Sequence, residues 1–222
     1  MEPIWAIFIL VMIASFIVQT TLKSRLDRYS RVQTNITGAQ IARMMLEENG
    51  IHDVTITCVS GTLTDHYNPQ THTVNLSEDI YNGNNLAAAA IAAHECGHVL
   101  QHASGYAPLK LRTAAVPLVN FAGKSVQWVL LLGVILWQFT PVMLWLGIAL
   151  FAVTTAFSFI TLPVEVNASQ RAVAWLNTAN ITDSTTTAYA HDALRWAAYT
   201  CVIAALGSLA TLLYYISIAR RR

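Results

Sequence analysis

Residues 3 to 22 of the chain, PIWAIFILVMIASFIVQTTL, carry no charged side chain and are long enough to cross a bilayer as a helix. Such runs constrain the fold strongly, because backbone surrounded by lipid must satisfy its own hydrogen bonds. A second apolar block covers residues 116 to 162, and a last one covers residues 197 to 219. Inside the second block, Gln138-Phe139-Thr140-Pro141 reads as a tight turn between two crossing helices. Trp137 and Trp145 flank that turn, where an interfacial aromatic belt would place them. Lys124 interrupts the helix before the turn, leaving a short span that needs tilt or snorkelling. The sequence therefore predicts four crossings. Composition agrees: 55% of residues are hydrophobic and only 11% charged, more apolar content than a soluble core requires.

Charge orients these crossings. Glu2 precedes the first run, and Lys23, Arg25, Arg28 and Arg31 follow it, the reverse of a cleaved signal peptide. An uncleaved anchor with its N-terminus outside and the next segment cytosolic is expected. Of the 13 Lys and Arg residues, three close the chain and the rest lie within residues 23 to 124 or 163 to 195. Both polar segments are thus assigned to the cytosolic side of a cell membrane, with Arg220 to Arg222 opposite, against the rule. A net charge of +1 without a massed basic patch gives nucleic-acid binding no support. Cys58, Cys96 and Cys201 are odd in number and scattered, which suits a reducing compartment better than a disulfide framework.

Residues 32 to 83 have a different texture. Thr37-Gly38-Ala39-Gln40 matches a capping box, and a helix with Ile41, Met44 and Met45 on one face should follow and end at Gly50. VTITC, residues 54 to 58, alternates as a half-buried strand does. LTDHY and HTVNL around Asn68-Pro69 predict a hairpin. Ser77 should open a short helical piece, and Asn84 or Asn85 should cap the helix after it.

That helix carries HECGH, residues 94 to 98. Positions i and i+4 share a helix face about one turn apart, so His94 and His98 can aim their imidazoles at one zinc ion. Glu95 projects beside the first ligand, towards a water that the ion acidifies, and can take its proton and pass it to the leaving amine. The bland alternative is a solvated face on an alanine-rich helix. Against it, three ionisable groups follow the apolar residues 86 to 93, a costly placement beside a membrane unless something pairs with them.

A catalytic zinc takes three protein ligands and leaves a position for water. His102 is too far, about 12 Å along the axis from His94. Spacing leaves His66 and His72 open. The best candidate is Glu165 in TLPVEVNASQRAVAWL, the sole carboxylate between Glu95 and Asp183. Pro163 is expected to start the helix that carries it. Arg171 is expected in a structural salt link, and Cys96, pointing away from the ligands, in simple packing.

HECGH and LPVEVNASQRA, with LTDHYNPQTHTVNLS upstream and YAPLKLR downstream, resemble the membrane-bound neutral zinc metallopeptidases of the YugP type along essentially the whole chain. The resemblance implies His94 and His98 as zinc ligands, Glu95 as catalytic acid/base and Glu165 as third ligand of one ion. More distantly, Glu165-Val166-Asn167-Ala168-Ser169 resembles the E-x-x-A-D of membrane gluzincins, with serine in place of the aspartate. The expected fold is mainly α: a multi-pass membrane protein with a small α+β, zincin-like unit. Its parts would be an anchor (1–22), the α+β unit with HECGH (23–112), a transmembrane helix pair (113–162), a helix with the third ligand (163–196) and a last transmembrane helix (197–222). The expected activity is hydrolysis of protein or peptide substrates, membrane proteins among them. An intramembrane-cleaving protease and a non-catalytic zinc-binding scaffold or sensor are the rivals.

Overall fold

The structure, a computed structural model, describes residues 3–136 and 140–220. Among them the chain is mainly helical: α1 (Pro3–Tyr29), α2 (Gly38–Glu48), β1 (Thr55–Val59), β2 (His66–Asn68), β3 (Thr73–Ser77), α3 (Glu78–Tyr81), α4 (Leu86–Ala103), α5 (Ala107–Ile135), α6 (Val142–Thr178) and α7 (Ser184–Arg220). Four of these, α1, α5, α6 and α7, are long and apolar enough to cross a membrane. The chain forms two compact units, one of Met1–Ile17, Ala107–Pro163 and Thr200–Arg222, the other of Val18–Tyr106 and Val164–Tyr199.

In the first unit, helices meet where side chains are small. A Cβ on Gly133 would lie 2.7 Å from the Leu144 backbone, so α5 and α6 approach at that glycine. Leu130, Leu144, Ile148 and Ala219 form its buried cluster. Thr155 and Ser208 pair through their hydroxyls at 2.7 Å. Two expectations need correction. The helix before the turn is not a short one starting beyond Lys124, since α5 begins at Ala107 and runs 29 residues through Lys124 and Pro117. Pro163 does not start a helix either, because α6 continues through it for 37 residues. Proline costs one backbone hydrogen bond, whereas ending a helix in apolar surroundings would orphan several more. Within the turn expected at 138–141, Gln138 and Phe139, like Trp137, lie outside the described residues. The Thr140 amide donates to Leu136 O at 2.9 Å.

The second unit has its own core. The Thr37 hydroxyl accepts from the Gln40 amide at 3.3 Å while the Gln40 side chain accepts from the Thr37 amide at 2.8 Å, which starts α2 as a capping box. Ile41, Ala42, Met45 and Leu46 then bury one face of α2 against α4 and the sheet. Strand order is β1-β3-β2, with β3 central, parallel to β1 and antiparallel to β2, so the hairpin forms and VTITC adds to its far side. Val74 and Leu76 of β3 point alternately with Thr73 and Asn75, and both are fully buried. Of the two asparagines, Asn85 caps α4, accepting from the Ala88 amide at 2.9 Å. The alanine run favours the helix intrinsically, and its small side chains let neighbours pack closely on α4. The Trp175 indole donates to Glu48 at 2.7 Å, fastening the end of α6 to α2.

Candidate metal centre

The site lies within the second unit, between α4 and the first turns of α6 beyond Pro163. Glu165, Ala168 and Ser169 are spaced i, i+3, i+4 and share one helix face. Gly97, between the two histidines of HECGH, decides how near that face can come. A Cβ on Gly97 would stand 2.5 Å from the Ala168 carbonyl oxygen and 3.1 Å from its Cα. Only a bare α-carbon admits this contact of backbone with backbone.

The close approach lets one helix grip both nitrogens of His94. Its Nε2 lies 3.3 Å from Glu165 Oε2, and its Nδ1 lies 3.1 Å from the Ser169 hydroxyl, one turn further along α6. His98 Nε2 lies 3.6 Å from the same carboxylate oxygen. The imidazole planes stand at 83° with centroids 4.9 Å apart, so the rings converge instead of stacking. Among the described residues, His94, His98 and Glu165 form a group able to hold a metal ion, with ligand atoms all within 4.8 Å of one another.

Donor chemistry and spacing fit zinc. Two imidazole nitrogens and a carboxylate oxygen are a known catalytic set, and ligands about 2.0 Å from a tetrahedral zinc sit about 3.3 Å apart. The observed separations of 3.3 and 3.6 Å match that edge. Burial alone would lower the pKa of His98. The Glu165 carboxylate 3.6 Å from its Nε2, the charge of Glu95 and its contact with Gln101 outweigh that and leave it raised.

Glu95 stands apart from the three. Its Oε2 accepts the Tyr67 amide of β2 at 3.0 Å, so the sheet edge holds the carboxylate beside the ligands without adding it to them. The other histidines weighed as ligands are engaged elsewhere. His66 meets Thr64 O at 2.8 Å, His72 meets Asp53 at 3.1 Å, and His102 meets the Tyr67 hydroxyl at 2.8 Å. Arg171, where a salt link is expected, donates to Asn167 Oδ1 at 2.9 Å instead. Cys96 is fully buried, its thiol donating to Ala42 O at 3.6 Å, and burial pushes its pKa well up.

Sequence reasoning overlooks Gly97, Gln101 and Asn167. The first had a signal, a glycine inside a helix that is otherwise alanine-rich. The other two had none, because an amide within a polar stretch looks the same whether it is buried or solvated.

Comparison with known proteins bears on the whole chain. Residues 4–220 match the model of a family described as "Putative neutral zinc metallopeptidase". The chain is 41% identical to "Putative membrane protease YugP" of Bacillus subtilis (strain 168) over 206 residues, 92% of this chain and 91% of that protein. No solved structure matches it.

Proposed function

The chain belongs to this family of neutral zinc metallopeptidases, and we propose that it is a membrane-bound zinc endopeptidase in which His94, His98 and Glu165 hold one ion and Glu95 moves the proton. The observation that carries the reading is the convergence of Glu165 on both imidazoles of HECGH from a different helix. When bound, zinc acidifies water and polarises the carbonyl of a peptide bond.

The protein's own part is positioning and proton transfer. Glu95, held by the Tyr67 amide, takes a proton from the attacking water on its carboxylate and returns it to the departing amine nitrogen. Strand β2 and helix α4 wall the site, and little of Glu95 or His98 is open to solvent. We assign the site to the cytosolic face of the cell membrane, because the basic residues gather in the two polar segments. Peptides and membrane proteins presented at that face are the proposed substrates.

Two measurements test the reading. Zinc content and casein cleavage are compared for the native protein, Glu95→Gln and Glu165→Ala. Glu95→Gln should retain zinc and lose turnover by about 10³-fold or more, whereas Glu165→Ala should lose zinc. Undiminished proteolysis by Glu95→Gln would leave only a zinc-binding scaffold or a different base. For sidedness, exposed Cys58 is probed with a membrane-impermeant thiol reagent. It should react in inverted vesicles and be shielded in sealed right-side-out ones, and the opposite pattern would move the site outside.

A further inference from the structure

Gln101 is completely buried although it is polar, one turn from His98 on α4. Every polar atom of its amide is used. Nε2 donates to the Val164 carbonyl at 2.8 Å and to Asn167 Oδ1 at 3.1 Å, and Oε1 lies 3.1 Å from His98 Nδ1. Asn167 Oδ1 also accepts from Arg171 Nε at 2.9 Å.

These contacts have one consistent hydrogen-bond direction. A backbone carbonyl can only accept, so the amide group facing Val164 O must be the NH₂. The Arg171 guanidinium can only donate, which keeps the Asn167 oxygen turned towards Arg171 and Gln101. The amide oxygen of Gln101 therefore faces His98, and an amide oxygen can only accept. The His98 Nε2 also faces an acceptor, Glu165 Oε2, but at 3.6 Å against 3.1 Å. Hence the hydrogen of a neutral His98 ring sits on Nδ1 with the nearer one, leaving the lone pair on Nε2 for an ion.

We infer that Gln101 is a positioning residue that locks neutral His98 in the Nδ1–H tautomer and so presents Nε2 for coordination, with Asn167 and Arg171 keeping Gln101 itself in register. His94 is different. Its Nδ1 faces the Ser169 hydroxyl, which can donate or accept, while its Nε2 faces Glu165 Oε2, which can only accept, so before metal binds its surroundings favour the Nε2–H tautomer. The two histidines thus differ: Gln101 pre-sets His98, whereas His94 moves its hydrogen from Nε2 to Nδ1, where the Ser169 hydroxyl can accept it, as the ion binds.

The inference rests on His98 being a ligand, but its test does not need bound metal. In zinc-free protein at alkaline pH, ring nitrogen NMR of ¹⁵N-histidine-labelled protein should show His98 protonated on Nδ1, with His94 protonated on Nε2. Gln101→Met keeps the approximate volume and removes the acceptor. It should mix the His98 tautomers and weaken zinc about 10- to 100-fold in competition with a chromophoric chelator. Gln101→Glu loses the donor to Val164 O and Asn167 Oδ1 and should be less stable, but it keeps an acceptor for His98. In folded protein both readings should therefore stay nearer native than in Gln101→Met, which a purely space-filling role would not produce. A native spectrum with the His98 proton on Nε2 would overturn the inference, even if Gln101→Met fails to fold. So would a folded Gln101→Met protein with native tautomer and native zinc affinity. Retention of zinc by Glu165→Ala would instead count against the ligand set and leave the tautomer result standing.

Discussion

Phe121, Trp128 and Val142 of the first unit leave 64%, 66% and 68% of their surfaces exposed, whereas Ile41, Met45, Val74 and Leu76 of the second are enclosed completely. Both units have apolar clusters, yet they use apolar side chains in opposite directions. In the first, small-residue contacts such as Gly133 with Leu144 bring helices together and larger side chains face outward, as lipid allows. In the second, removal of large side chains from water holds the core, as in a soluble domain. The candidate metal centre belongs to the second kind. Its ligands need a rigid, enclosed frame, and its polar side chains need partners that a lipid-facing helix surface does not offer.

The largest test of this contrast is a pair of truncations followed by unfolding in detergent. Ile41→Ala should cost about 2–5 kcal/mol through the cavity it leaves. Phe121→Ala should cost less than about 0.5 kcal/mol, since its side chain encloses nothing. Equal costs would break the distinction.

Glycines sharpen it next. Gly97→Ala should destabilise by about 1–3 kcal/mol as α4 and α6 are forced apart, and zinc binding should fall with it. Gly123→Ala, with open space around its α-carbon, should leave zinc untouched and raise helix stability by about 0.4–1 kcal/mol. A Gly97→Ala protein with native zinc affinity would show that the close contact does not set the ligand geometry.

pH acts on the second unit's site through His98. The raised pKa of His98 means that the metal-free fold favours its protonated form. That stabilisation is complete below the ordinary imidazole value of about 6.5 and is lost as pH rises through the raised value. Zinc needs the neutral ring, so its affinity should run the other way, weakening up to about tenfold for each pH unit below that value. Calorimetric titration across this range checks the sign. An affinity that does not change would mean His98 is not coordinated.

The smallest effects compare one polar pair from each unit. Trp175→Phe removes the donor to Glu48 and should cost about 0.5–1.5 kcal/mol. Thr155→Val removes the hydroxyl pair with Ser208 and should cost only about 0.6 kcal/mol, because polar groups in lipid find other partners when separated.

Much of this was legible without coordinates wherever the signal was local. The capping box at Thr37, the hairpin around Asn68-Pro69 and the four apolar helices each depend on neighbouring residues. Their hydrogen-bonding and burial preferences act over a few positions. The helix ends near Lys124 and Pro163 were misread for the same reason. A charge or a proline is a strong local breaker, but continuing the helix satisfies more backbone groups than ending it. Glu165 could be suggested because a lone carboxylate at the end of an apolar run is expensive. Arg171 could not be placed, since its acceptor Asn167 looks like any polar helical residue.

By itself the sequence determined that long helices must form, that a small α+β unit interrupts them, and that HECGH sets two imidazoles on one face. These follow from helix periodicity and from the cost of bare backbone in lipid. Only the tertiary structure decided that Glu165, 71 residues after His94, completes the group. It also decided that Gly97 opens the gap for that approach and that the Gln101 amide oxygen meets His98. Each of those outcomes depends on which groups of two distant segments meet at hydrogen-bond distance, and packing alone supplies that information.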